Sequence, residues 1–541
     1  MKDISSTGSF VDFTLENFIY VDKTVYIPQL VKLKRVFISR PRRFGKSLTL
    51  DTIATLFETG VEPYFKGTWI YDKWTEPTYP VLRLNFLNFD KNSLEKFNNK
   101  LNSKITEFAE LNHVTSYKEK EEAEDSIDHL LEQLRLENRQ IVILIDEYDC
   151  QMTANINNET LYKQFQEKIK SFYATIKNKW PIKFLGITGV TRLKDVEIFS
   201  IGSDIRDITN ASAYSQMIGF TRDEIKRYYI DYLTLAASYE NKCRVEEVTD
   251  TQIESMLDMM AQNYDGYCFD EFYKKKVFST WSVNKFFQSV VSNKFVYFGE
   301  YWYDNGGLPS ILVNYLKTHE LNIFEYLDKD KFLKVSSDDF KNPTALTTIN
   351  QNVLMCQTGY LTLRSDLNKT STVALGIPNG EIYKALNRLL ANNIFKGNTD
   401  ITDDYGRSLL EVGTVDDIIN LFNSALNSVS YDNYPIVSES SVQNMLKLYL
   451  LGAHQKVLSE VHEAKGRADL VVNTDNRRIV FEFKYAKNEA EAKSKLSEAV
   501  EQLKTRDYGN ILPKKNELIR IAAVFNADPK VRAFTENQIV P

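Results

Sequence analysis

The chain has 541 residues, 43% hydrophobic and 26% charged, with a net charge of −6. That balance fits a soluble globular protein of roughly two to four domains. No run approaches the roughly 20 apolar residues that cross a bilayer and the start, MKDISSTGSFVDF, lacks the form of a signal peptide, so cytoplasmic residence is the expectation. Cys150, Cys243, Cys268 and Cys356 stand far apart, and the five histidines form no pair at zinc-ligand spacing, which points to neither a disulfide framework nor a zinc site. The negative balance leaves a local basic groove for nucleic acid open.

The segment ENFIYVDKTVYIPQL reads as an aromatic strand-like stretch and a short helix, placed to pack beside a nucleotide. Arg35 to Leu48, RVFISRPRRFGKSL, then carries a hydrophobic strand into a basic turn ending in Gly45-Lys46-Ser47. With the helix-compatible run SLTLDTIATLFETG after it, this is the strand, loop and helix layout of a phosphate-binding loop. Backbone N–H groups around Arg42, Arg43 and Gly45 would wrap phosphates, Lys46 would reach the β/γ-phosphates, and the Ser47 hydroxyl would hold Mg²⁺. The usual pattern has Gly where this chain has Arg40, and Phe44 is bulky, which leaves open whether bound nucleotide is hydrolysed.

Val81 to Leu87 (VLRLNFL) predicts a strand, and the charged stretch from Asn92 to Arg139 a helical crossover. Ile141 to Asp149, IVILIDEYD, is a continuous apolar strand ending in carboxylates, as expected at the buried centre of a parallel sheet. At that end Asp146 can hold Mg²⁺ through water, and Glu147 can orient or deprotonate an attacking water. The strand Lys183 to Thr188 (KFLGIT) offers Thr188 as a sensor-like group, while Arg192 is either a phosphate contact or a surface cap. Thr221 can cap the next helix. Residues 222–330 are helical and aromatic, either a lid over the nucleotide or plain aromatic core, with a loop at Asn305 to Ser310. Residues 331–427 mix short elements, with a loop NTDITDDYGRS, and Asn427 to Ser441 is the best linker.

Near the end, a helix from Met445 to His462 is expected to lead to Glu463, with Glu460 one turn earlier. GRADLVV (Gly466 to Val472) and RRIVFEFKYAK (Arg477 to Lys487) form a hairpin. Period-two alternation puts Glu482 and Lys484 on one face, and Asp469 can approach Glu482. Two such carboxylates can hold a divalent metal, with Glu463 or Glu460 adding a third, and Lys484 can position or help deprotonate a water. A helix carrying Gln502 and a third strand, Ile519 to Phe525, follow.

The D…ExK pattern with a downstream Gln and Tyr resembles the PD-(D/E)XK nucleases. Together with VDKT (Val21 to Thr24), RPRRFGKSL, LIDEYD, GRADLVV and FEFK, the chain resembles a bacterial family that joins an AAA-ATPase-like domain to a PD-(D/E)XK nuclease-like domain. The resemblance implies an α/β fold: a P-loop NTPase parallel sheet at 1–221, a helical lid at 222–330, a connecting region at 331–430, and a small α/β nuclease-like domain at 431–541. It implies ATP and Mg²⁺ (or Mn²⁺) as cofactors, with Lys46, Ser47, Asp146 and Glu147 as ATPase positions and Asp469, Glu482, Lys484 and Gln502 as nuclease positions. Three functions follow as expectations: an ATP-controlled, metal-dependent nuclease acting on DNA, with a homo-oligomer left open; an ATP-dependent switch whose C-terminal domain binds nucleic acid or a partner without cutting; and a pure AAA-type motor, for which Arg192, Arg206 and Arg222 are candidate arginine fingers.

Overall fold

In the computed structural model, the described residues are 1–193, 204–304, 310–316, 319, 323–343, 345–395, 406–453, 455–463, 466–506, 508–509 and 517–541. The loop at Asn305 to Ser310 and most of NTDITDDYGRS lie largely outside them. The chain divides into two compact units, Met1–His319 with Phe332–Ile382, and Glu320–Lys331 with Tyr383–Pro541.

The first unit is built on strands β1 (Arg35–Ser39), β2 (Val81–Asn85), β3 (Ile141–Asp146), β4 (Ile182–Gly189) and β5 (Arg206–Asp207). They are parallel and lie in the order β2-β3-β4-β1-β5. β1 and β3 are buried along their whole length, which is why both read as unbroken apolar runs rather than alternating ones. Because β4 lies between them, Thr188 of β4 pairs with Ile38 beside the phosphate loop, while Ile187 pairs with Ile145 beside Asp146. The carboxyl ends of the three strands therefore meet at one crevice, the place where open α/β sheets take ligands. The helix Lys46–Thr59 leaves the loop directly.

Thr221 caps the helix Arg222–Tyr228 in a reciprocal capping box with Glu224, which satisfies two end groups of that helix. The helices of residues 222–293 bury Tyr229, Leu233, Leu257 and Phe287 against Ile19 and Val21 of the N-terminal segment. A three-stranded antiparallel sheet follows, ordered β6-β8-β7, from β6 (Leu333–Ser336), β7 (Thr362–Leu363) and β8 (Thr372–Gly376). Of the described helices, none is long and apolar enough to cross a membrane.

The second unit holds β9 (Lys456–Glu463), β10 (Gly466–Asn473), β11 (Arg477–Ala486), β12 (Glu517–Asn526) and β13 (Ala533–Val540), ordered β13-β12-β11-β10-β9. β10 and β11 form the expected hairpin. β11 and β12 are parallel, joined through the helix Glu489–Arg506, whose Ala499 and Leu503 pack on Val471, Val480 and Ala522 of the sheet. One expectation is corrected. The helix Glu439–Gly452 ends well before His462, and Lys456–Glu463 is a strand paired antiparallel with β10. Val457, Leu458 and Val461 suit a helical repeat in isolation, but the ladder to β10 overrides that propensity.

Candidate functional site

The nucleotide-type site starts from Gly45, whose φ of 102° is readily adopted only by glycine. It turns the chain from loop to helix so that Lys46 opens the first helical turn. The Lys46 ammonium is buried, donating to the carbonyls of Arg40 at 3.1 Å and Pro41 at 3.2 Å, with Glu147 Oε1 at 3.6 Å. Ser47 Oγ donates to Asp146 Oδ2 at 2.6 Å, and Thr188 Oγ1 donates to the other oxygen, Oδ1. Asp146 is thus held by one hydroxyl from the loop and one from β4, while the Glu147 N–H closes on Oδ1 at 3.0 Å. A hydroxyl and a carboxylate in direct contact form a hard-oxygen pair suited to Mg²⁺. Burial raises the Glu147 carboxyl above its ordinary value, with Lys46 opposing.

Arg40, where the usual loop has Gly, turns its side chain under the sheet edge. The guanidinium donates to the Ser39 and Thr209 carbonyls at 2.9 and 2.6 Å and lies 4.1 Å from the Phe269 ring centre. Burial pulls it down to about 9, so it remains charged at neutral pH. Phe44 is likewise turned inward, edge-on to Tyr267 and Phe269, and its burial contributes on the order of 2 kcal/mol. Both departures from the usual pattern therefore anchor the loop, Arg40 on Thr209 and Phe269 and Phe44 on Tyr267 and Phe269.

The Arg43 guanidinium is engaged with protein: it donates to the Tyr301 carbonyl at 2.7 Å and to that of Trp302 at 3.0 Å, over the Trp281 ring. The Trp302 N–H in turn donates to Glu381, and Ser282 Oγ donates to its other oxygen. Arg42, Arg43, Gly45, Lys46, Ser47 and Glu147 border a cavity of about 570 Å³, and Ile19, Val21, Met217, Ile218 and Tyr229 are among its other lining residues. That volume suits a nucleotide-sized ligand, and Tyr20, Lys23 and Thr24 of the early aromatic segment also line the cavity. Arg192 is a pairing residue elsewhere, bound to Asp207 and to the Lys341 carbonyl.

In the second unit, Glu482 is fully buried on β11. Its Oε1 receives the Lys484 ammonium at 2.9 Å, and among the described residues its Oε2 has no partner. Lys484 also donates to Glu439 Oε1 at 3.2 Å and to the Phe483 carbonyl at 3.1 Å. Asp469 Oδ2 accepts the Phe483 N–H at 2.9 Å, and Gln443 donates to the Asp469 carbonyl. Burial first, then Asp469, pushes the Glu482 carboxyl up to about 7. Burial lowers the Lys484 ammonium, but Glu482 and its neighbours outweigh this and leave it raised. An orphaned buried carboxylate oxygen beside a second carboxylate is the kind of donor set a divalent cation satisfies, although no cluster of three or more ligating side chains occurs among the described residues.

Sequence reading missed Glu439, which reaches the site because the helix Glu439–Gly452 packs against β11. Its only local signal is an acidic residue just after the capping Ser438. The side chains of Glu463 and Glu460 lie outside the described residues. Gln502 stands half-buried on the helix Glu489–Arg506, with no hydrogen bond to Asp469 or Glu482 among the described residues.

The two units thus present a P-loop α/β nucleotide site and a small mixed sheet bearing a D…ExK carboxylate–lysine site. Residues 5–199 match the family described as a predicted AAA-ATPase, and residues 437–535 match the PD-(D/E)XK nuclease superfamily, so the chain joins an N-terminal domain of the first kind to a C-terminal domain of the second. A protein of Azotobacter chroococcum mcd 1, described as uncharacterized and encoded in the vnfD 5′ region, is 25% identical over 533 residues, 95% of this chain and 94% of its own. A Walker-type ATPase of Pyrococcus abyssi aligns with a TM-score of 0.35 at 12% identity, over 67% of this chain and 94% of its own. Cdc6p from Pyrobaculum aerophilum aligns with a TM-score of 0.26 at 11% identity, over 69% and 96%.

Proposed function

We propose that the protein is an ATP-controlled, metal-dependent nuclease that hydrolyses phosphodiester bonds, with DNA as the favoured substrate. The observation that carries this reading is Glu482: a carboxylate with an unpartnered oxygen, buried beside Lys484 and Asp469. A binding module gains nothing from the cost of such a group. Asp469 and Glu482 would hold the cation. When bound, a divalent cation polarises the phosphate and makes a coordinated water more acidic. Lys484, gripped by Glu439 and Glu482, would orient the attacking water and carry positive charge toward the phosphate.

In the first unit, Lys46 would exchange its two carbonyl partners for the β/γ-phosphates, Ser47 and Asp146 would hold Mg²⁺, and Thr188 would report on the γ-phosphate through its bond to Asp146. Glu147 would orient the attacking water. Apolar lining residues such as Ile19, Val21 and Ile218 suit a base. The division into a lid at 222–330 and a connecting region at 331–430 belongs to the same reading.

The test is incubation of the full chain with plasmid and linear DNA in Mg²⁺ or Mn²⁺, beside Glu482→Ala. Metal-dependent cutting that disappears in the variant supports the nuclease; its absence in the wild type under every condition, with ATP binding retained, would favour the non-cleaving switch.

A further inference from the structure

The nuclease-type unit carries an exposed arginine fastened beside its carboxylates. Arg506 ends the helix Glu489–Arg506, one helical turn beyond Gln502 and on the same face. Its guanidinium donates to the Tyr508 hydroxyl at 2.7 Å. Tyr508 is fully buried, and the same hydroxyl oxygen accepts the backbone N–H of Arg467 at 3.0 Å. Arg467 lies two residues before Asp469 on β10, about 7 Å along the strand. One buried hydroxyl thus ties the end of the helix to the strand that bears Asp469, and holds the Arg506 cation near that carboxylate.

The electrostatics agree with this placement. The Tyr508 hydrogen bond raises the Arg506 guanidinium above its ordinary value, and Glu482 and Asp469 both add to the effect. An exposed side chain gains little stability from such an arrangement. A planar fork with one N–H committed to Tyr508 still offers several donors, the geometry that binds phosphate oxygens.

Building on the nuclease reading above, we infer that Arg506 is a positioning residue that grips a backbone phosphate of the nucleic acid at the Asp469–Glu482–Lys484 site, with Tyr508 as its anchor. Gln502, the residue that the motif suggested, lies one turn back on the helix. The phosphate contact belongs to Arg506.

The test is binding of a fluorescein-labelled DNA duplex to the full chain in Ca²⁺ across a salt series, with cleavage in Mg²⁺ measured separately. The proteins are wild type, Arg506→Ala, Arg506→Lys and Tyr508→Phe, with thermal melts as a check on folding. Arg506→Ala is expected to weaken binding about tenfold and to lower the slope of log affinity against log salt by about one. Arg506→Lys should restore the slope but only part of the affinity, since it keeps the charge and loses the fork. Tyr508→Phe should keep the slope and lower cleavage more than binding. A folded Arg506→Ala with wild-type affinity and slope overturns the inference, as does a wild type that does not bind the duplex. A wild type that binds with the expected Arg506 effects but never cuts supports the clamp and overturns the nuclease reading alone.

Discussion

The hydroxyl of Ser47 donates to the carboxylate of Asp146 at 2.6 Å across 99 residues of sequence. The contact exists because β4 lies between β1, whose loop leads into the helix that carries Ser47, and β3, which ends at Asp146, and Thr188 of that same β4 holds the other carboxylate oxygen. The three residues form one polar unit on the floor of the crevice.

If that unit binds Mg-ATP, Asp146→Asn should weaken ATP about tenfold or more, a change of about 1.4 kcal/mol, and Lys46→Ala should weaken it further. Glu147→Gln should keep binding and lose hydrolysis. Calorimetric titration and phosphate release measure the two effects. Unchanged affinity in both Asp146→Asn and Lys46→Ala would remove the nucleotide site from this crevice.

Lys484 neutralises a buried carboxylate, so its loss should cost stability as well as activity. Lys484→Ala leaves Glu482 without its cation, a change expected to cost about 3 kcal/mol. Replacing both, with Glu482→Gln and Lys484→Met, should recover most of that loss in urea unfolding while remaining inactive. A double variant no more stable than Lys484→Ala would show that the pair is not coupled.

Glu381 gives a pH test of the network beneath the phosphate loop. Burial pushes its carboxyl from 4.5 up to about 8, against hydrogen bonds from Ser282 and the Trp302 N–H. Because the folded value lies above the unfolded one, the folded protein holds a proton that the unfolded chain lacks between those limits. The contribution of this group to stability is therefore complete below about pH 4.5 and falls as pH rises through about 8, by up to about 1.4 kcal/mol per pH unit. Glu381→Gln should flatten the dependence of unfolding free energy between about pH 6 and about pH 8. An identical slope in variant and wild type would contradict it.

The parts legible in the sequence are those written in consecutive residues. Gly45-Lys46-Ser47 after an apolar strand, Asp146-Glu147 at the end of another, and Glu482-x-Lys484 on a hairpin each carry their own geometry in a short period or turn. What escaped was assembled by packing. Glu439 comes from a helix whose local sequence offers no more than an acidic residue after its cap. β13 (AFTENQIV) is a polar edge strand that, among the described residues, pairs with β12 alone, so neither face announces it. The destination of Arg40 was equally hidden, since it depends on Phe269 and Thr209 more than two hundred and more than one hundred and sixty residues away.

Control of cutting at Glu482 by ATP at Lys46, as proposed above, is tested by one cleavage experiment on linear DNA in Mg²⁺ with and without ATP. Wild type should cut at a rate that changes with ATP. Lys46→Ala should cut at a single rate indifferent to ATP, and Glu482→Ala should not cut at all. Cutting by wild type and Lys46→Ala at the same rate, with and without ATP, would contradict the control, and cutting retained in Glu482→Ala would contradict the nuclease site itself.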